Sequence, residues 1–338
     1  MRVPVSYVWS NPYFNSSAEK YRKHLHDLWG KCILSEADMR RYLSAMKEQP
    51  DIMLLWGFCT ERTGVVGLCR EYGINVAIWE DGFFPHYDTI HFDPLGFCWE
   101  SSLPRMIFRG CTGRQRERAR QARGAWLAKP VKELPAEIRK PFVLWPLQLV
   151  SDKVNEWDLR LTDWTGLIRH FRSCLPARIQ LVLKDHPLSS PKDVVGIDQL
   201  VSELPNTIHL PKGVSLPALL RECQAVAGAN SSVLYEARLM HHKPAYVYAR
   251  SWFTNHDELF VPVSRDFATQ LPRQDWLENP SSMRTERLDD YTDWFLAQLL
   301  ARQLDSKIAA EDSLRFRTQV GRLSYHSYLE HGDAIFDD

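Results

Sequence analysis

The sequence lacks what would place it in several large classes. It has no excess charge of either sign: 42 Lys and Arg balance 42 Asp and Glu. No overall field therefore steers it to nucleic acid. Its seven cysteines, at 32, 59, 69, 98, 111, 174 and 223, are odd in number and contain no Cys-x-x-Cys pair. That speaks against a disulfide framework or a zinc site and for reduced thiols in a cytoplasmic protein. No apolar run approaches the roughly 20 residues of a membrane span. The start, Met1-Arg2-Val3-Pro4-Val5, has no apolar signal-peptide segment. No Gly-x-Gly-x-x-Gly follows a strand and no Walker loop is present, which argues against a dehydrogenase or a P-loop enzyme. Fixed-period repeats and low-complexity tracts are also missing.

What is present is an ordinary globular composition, 44% apolar and 25% charged over 338 residues, enough for two domains. Apolar, β-branched runs at 3–9, 51–56 and 74–79 read as strands, with a short one at 106–108. Helical patterns at 18–28, 38–47 and 64–72 lie between or beside them. A second series starts at 142. Its strands are expected at 142–145, 179–183, 207–210, 225–227 and 245–248, and its helices at 163–174, 194–204, 215–223 and 231–240. Strand and helix in alternation predict parallel sheets with right-handed crossovers. Helices at 289–304 and 313–329 follow. The expected organisation is an α/β chain of two Rossmann-like domains, 1–135 and 141–305, with 306–338 returning to brace the first. Between 105 and 132, nine Lys and Arg face a single acid, Glu117. Arg114, Arg116, Arg118, Arg120 and Arg123 lie in a helix-compatible run. Such a run is either a solvated helix face or a surface for anions or a membrane.

Four segments carry polar groups to the carboxyl ends of strands, where open α/β sheets place their chemistry. Glu80-Asp81-Gly82 closes the 74–79 strand between Trp79 and Phe83-Phe84. Aromatic neighbours desolvate a carboxylate and favour its protonated form, which suits a general acid or base. Pro146-Leu147-Gln148-Leu149-Val150-Ser151-Asp152 runs from a strand into a loop ending in an acid. Lys184-Asp185-His186-Pro187 directly follows the strand expected at 179–183, and the proline ring rigidifies the turn that holds His186. Gly228-Ala229-Asn230-Ser231-Ser232 links a short strand to a helix. Small residues, hydroxyls and free amides at a helix start form an anion site.

In this order and spacing, the segments resemble a family. Glu80-Asp81-Gly82, His186-Pro187 and Ser231-Ser232 are similar to the acidic, His-Pro and Ser/Thr motifs of bacterial sialyltransferase-type enzymes. Those enzymes use CMP-activated 2-keto sugars. Glu80-Asp81-Gly82-Phe83, Pro146-Leu147-Gln148 with Asp152, and Gly228 to Ala237 followed by Lys243-Pro244 look closer to the β-Kdo transferases of capsule and O-antigen synthesis. The resemblance spans about residues 74–250. It implies a GT-B fold, two Rossmann-like domains facing a cleft, with CMP-Kdo as donor and no metal. It places Gln148, Lys184, His186, Pro187, Asn230, Ser231 and Ser232 around the CMP. In a retaining reaction Asp152 is the nucleophile and Glu80, beside Asp81, the acid/base. That is the two-carboxylate logic of retaining glycosidases. An inverting enzyme needs only Glu80 or Asp81 as base, and a UDP-sugar enzyme or a sugar-binding module remain the other readings. The acceptor implied is a surface polysaccharide or glycolipid. The arginine run 114–123 then contacts the glycan or the inner face of the inner membrane. No nucleic-acid partner is expected.

Overall fold

A computed structural model describes residues 6–9, 30–32, 36–45, 52–57, 64–86, 88–149, 164–264, 271–307 and 312–336. The helix expected at 18–28 and Asp152 lie outside the described residues. The chain divides into two compact units, 1–106 with 298–338, and 107–297.

The first unit is built on a six-stranded sheet. In chain order it holds β1 (Ser6–Trp9), β2 (Gly30–Cys32), α1 (Glu36–Ala45), β3 (Ile52–Trp56), α2 (Gly64–Glu71), β4 (Asn75–Asp81) and β5 (Thr89–Asp93). With β12 (Gln303–Asp305) from the far end of the chain, strand order is β12-β5-β4-β3-β1-β2. Strands β2, β1, β3 and β4 are parallel, while β5 runs antiparallel to β4. Ile52, Met53, Leu54, Leu55, Val76, Ala77 and Ile78 are buried. Such apolar runs mark strands covered on both faces. One face packs α1 and α2 through Leu43, Val66, Leu68 and Cys69. Gly73 (φ +68°) closes α2 in a left-handed turn that lets the chain enter β4.

The second unit holds α3 (Gly113–Leu127), β6 (Phe142–Pro146), α4 (Trp164–Cys174), β7 (Gln180–Lys184), α5 (Ile197–Glu203), β8 (Thr207–Leu210), α6 (Leu216–Glu222), β9 (Ala225–Gly228), α7 (Ser232–His241), β10 (Ala245–Val247), β11 (Val261–Pro262) and α8 (Asp275–Glu278). Its sheet order is β11-β10-β9-β6-β7-β8, every pair parallel. Counted from β6, this is the 3-2-1-4-5-6 order of a dinucleotide-binding fold, with its switch point between β6 and β9. Each strand expected after residue 141 is present within a residue or so of its place, and so are the four helices between them, the start of α5 apart. These segments are short apolar runs between helix signals: Ser231 caps α7 and a proline opens α6.

Helix α9 (Glu286–Arg302) is shared between the two units by sequence, and β12 (Gln303–Asp305), α10 (Ser313–Arg322) and α11 (Tyr325–His331) complete the first. The bracing of the first sheet by the C-terminal helices is borne out. Val320, Leu323, Ile335 and Phe336 share a buried cluster with Ile52, Leu54, Ala77 and Phe92. Asn75 Nδ2 donates to Ser324 Oγ at 2.9 Å. Arg302, fully buried, donates to Gln298 O (2.9 Å) and Ser102 Oγ (3.0 Å) and stacks 3.3 Å from the Phe336 ring centroid.

Several local expectations are corrected. Residues 106–108 form no strand; the strand after β4 is β5, reached through the turn at Gly82 to Asp88. The 289–304 pattern is helical only to Arg302, because residues 303–305 pair with β5. The 313–329 pattern is two helices, broken at Leu323-Ser324. The division between the units falls at 106/107 instead of near 135, since α3 is tied within the second unit. Arg123 donates to Leu239 O (2.9 Å) and pairs with Asp293 (2.8 Å).

Candidate active site

In the first unit Glu80 and Asp81 stand where the sequence puts them, at the carboxyl end of β4. Glu80 is 8% exposed. Its Oε1 accepts from the Asp81 amide at 3.0 Å, which turns the carboxylate back over the strand end. Room for it is left by Gly57, directly after β3. A Cβ there would stand 2.9 Å from Glu80 Oε2 and 2.7 Å from Cδ2 of Phe97. Burial raises the Asp81 carboxyl above the usual carboxylate range, and His86 pulls against it. The Asp81 carbonyl accepts from His91 Nδ1 at 2.7 Å. Burial pushes the His91 ring down to about 4, and the bond to that carbonyl opposes the shift in part. His91 is therefore neutral near pH 7 and serves as a fixed donor.

The turn after the acids is held by groups the sequence reading did not single out. Gln303 Oε1 accepts from the amides of Phe83 and Phe84, both at 3.0 Å, and its Nε2 donates to Phe84 O at 2.8 Å. Gly82 N donates to Thr89 O at 2.7 Å, and a Cβ on Gly82 would overlap the Thr89 side chain. Phe83 and Phe84 are buried. The Phe83 ring lies 4.4 Å from that of His91.

In the second unit three motif segments leave three adjacent strands, β9, β6 and β7. At the switch point Gln148 and Asn230 meet. Gln148 Nε2 donates to Asn230 Oδ1 at 2.7 Å, and Asn230 N donates to Gln148 Oε1 at 3.3 Å. Asn230 is 8% exposed, and its buried Nδ2 has no partner among the described residues. A buried amide donor of this kind calls for an acceptor. Ser231 is the N-cap of α7 and accepts from Val233 N at 3.3 Å; Ser232 is the helix's first residue. Val233 N and Leu234 N are thus both turned to Ser231, and it is the positive end of the helix dipole that favours an anion here.

The Lys184-Asp185-His186-Pro187 turn follows β7. Lys184 is buried, and its ammonium donates to the carbonyls of Asp185 (2.9 Å) and Lys212 (3.4 Å). Burial lowers its pKa, against the pull of Asp185. It braces the turn from behind. His186 Nδ1 accepts from Leu188 N at 3.1 Å, so a neutral ring carries its proton on Nε2. Pro187 is exposed. Asp185 accepts from His209 on β8 at 2.7 Å. No sequence signal marks His209, which sits in a strand without a motif. Glu236, in the helix that follows Ser231-Ser232, is pushed up to about 7 by burial, with the Trp126 hydrogen bond working the other way. Of the arginine run, Arg116, Arg120 and Arg123 pair with Asp290, Glu117 and Asp293. Among the described residues no helix is long and apolar enough to cross a membrane.

Residues 110–256 match the family of capsule polysaccharide biosynthesis proteins. The matched stretch holds Gln148, His186, Asn230, Ser231 and Ser232. Two solved structures from Thermosulfurimonas dismutans share the fold. One is the KpsC β-Kdo 2,7 transferase, 17% identical, covering 81% of this chain and 89% of its own, with a TM-score of 0.54. The other is the KpsC β-Kdo 2,4 transferase, 14% identical, covering 87% and 98%, with a TM-score of 0.50. No curated protein sequence matches the chain. The resemblance to capsule β-Kdo transferases read from the motifs is thus borne out, as is the α/β, GT-B fold class.

Proposed function

We propose that the chain is a glycosyltransferase of capsule polysaccharide synthesis that moves Kdo from CMP-Kdo to a surface-polysaccharide or glycolipid acceptor, with retention. The observation that carries this reading is the joining of Gln148 and Asn230 across the switch point of the second sheet. It sets the motifs after β6 and β9 side by side, and the His186 turn leaves the neighbouring strand β7. In this reading Asn230 Nδ2, the Ser231 and Ser232 hydroxyls at the start of α7 and His186 Nε2 take the anionic groups of the donor. Lys184 and Pro187 shape the turn. Charge-assisted hydrogen bonds from preorganised groups stabilise the phosphate as it leaves.

Asp152 attacks the anomeric carbon as CMP departs and forms a glycosyl-enzyme ester. Glu80, desolvated at its strand end, then takes the proton of the acceptor hydroxyl as that oxygen displaces Asp152. Asp81 holds Glu80 through its amide. The reading assigns no metal to the reaction. A peripheral contact of α3 with an anionic bilayer is narrowed by the acids already paired with Arg116, Arg120 and Arg123.

The test is binding and turnover with defined nucleotides. Calorimetry is expected to show CMP binding and no UDP binding. CMP-Kdo with a capsule-type acceptor is expected to yield a β-linked product. UDP binding without CMP binding contradicts the donor assignment. An α-linked product contradicts retention and leaves an inverting enzyme with Glu80 or Asp81 as base.

A further inference from the structure

The 187–196 connection runs from the His186-Pro187 turn to the start of α5. Both of its ends meet one side chain that the proposed chemistry does not use. His209, on β8, stands with Nε2 2.7 Å from Asp185 Oδ1 and Nδ1 2.9 Å from Asp198 Oδ1. Asp185 immediately precedes His186, and Asp198 is the second residue of α5. Both ring nitrogens therefore face carboxylate oxygens. A neutral imidazole has one N–H and would turn a lone pair onto one of the two carboxylates; the imidazolium donates to both.

The two bonds are unequal. The Asp185 side chain is 12% exposed and that of Asp198 94%. The inner bond is screened less and is the stronger. The other charged groups nearby face the backbone. Lys184 Nζ donates to Asp185 O and Lys212 O, and Lys212 Nζ to Ser189 O at 3.4 Å. Inside the connection, the Ser190 amide and hydroxyl donate to Asp193 Oδ2 at 2.8 and 2.6 Å. The connection is thus a small folded piece, and His209 clasps its ends.

We infer that His209 is a positioning residue for the donor: as an imidazolium it staples both ends of the 187–196 connection and so holds His186 in place to meet the donor phosphate. This rests on the donor reading of that turn. The pH dependence follows. Burial of the ring works against its charge, but the bonds to Asp185 and Asp198 prevail and raise its pKa above the ordinary 6.5. The clasp is complete below that ordinary value and is lost as pH rises through the raised one. Once neutral, the ring keeps one N–H. The buried Asp185 retains it, and the Asp198 end is released.

The experiment is calorimetric CMP binding to the full chain, as wild type, His209→Gln and Asp198→Asn, at about pH 6.5 and about pH 9. Wild type is expected to bind roughly tenfold more tightly than His209→Gln at the lower pH and within about twofold at the higher. Titration of the CMP phosphate is common to all the proteins and cancels in the ratio. Asp198→Asn, altered at an exposed carboxylate, keeps the fold and is expected to lose most of the pH dependence while retaining part of the affinity. Amide exchange across 187–196 is expected to quicken in His209→Gln. A ratio near one at both pH values, or an equal ratio above one at both, overturns the inference and leaves the donor site standing. If wild type binds no CMP at either pH, the donor reading fails and the positioning role falls with it.

Discussion

At the scale of single residues, the candidate site depends on polar side chains whose partners are specific. Gln148 satisfies Asn230 with two hydrogen bonds. Gln148→Ala leaves both groups of a buried residue unpaired, at a cost of about 1–3 kcal/mol. The variant is expected to unfold at lower denaturant and to bind CMP more weakly, in chemical denaturation and calorimetry respectively. Glu236 makes a pH prediction. Its carboxyl sits at about 7 in the fold against an ordinary 4.5. The folded state therefore holds the proton more tightly, and ionising the group weakens the fold as pH rises from about 4.5 to 7. Glu236→Gln removes that part of the slope, which unfolding curves across this range check. The motif residues were legible because each combines an acid, histidine or serine with a glycine or proline after an apolar run. Gln303, Gly57 and His209 were not, because their roles come from distant chain segments meeting in space. Gln303 is 220 positions from the Phe83 amide it accepts from.

At the scale of elements, the second unit was readable strand by strand. Its sheet is parallel throughout and its strands are short apolar runs separated by helices. The first unit was less so. Strand β5, Thr89-Ile90-His91-Phe92-Asp93, hides three polar residues, Thr89, His91 and Asp93, at buried positions and returns antiparallel beside β4. A pattern search tuned to apolar runs passes over it. Asp93 is buried because the amides of Leu95, Gly96 and Ser102 all donate to it, a local arrangement that periodicity does not reveal. Strand β12 looked helical because its three residues prolong the pattern of α9, and its pairing with β5 overrides that propensity. The β4–β5 turn makes its own prediction. A Cβ at Gly82 overlaps Thr89, so Gly82→Ala forces the turn apart at a cost of about 1–3 kcal/mol. Its thermal transition is expected to fall and its kcat to drop as Glu80 and Asp81 shift, whereas CMP affinity stays at the wild-type value.

At the scale of the whole molecule, the first unit is assembled from both ends of the chain. Its core depends on residues from the second of its two stretches, 298–338. Phe336, 2% exposed, packs against buried Arg302 and the cluster of Ile52, Leu54, Ala77 and Phe92. Phe336→Ala is expected to cost about 3–5 kcal/mol. Denaturation should show the first unit melting early and the second unchanged; a single unshifted transition contradicts that division. The proposed retaining reaction needs two carboxylates, assigned to Glu80 and Asp152. The measurement that tests this most directly is the intact mass of Glu80→Gln after incubation with CMP-Kdo. Removing the acid/base slows resolution of the glycosyl-enzyme more than its formation. A gain of one Kdo residue, absent when Asp152→Ala is added, is the predicted result. An unmodified mass from a protein that still binds CMP-Kdo would contradict the account.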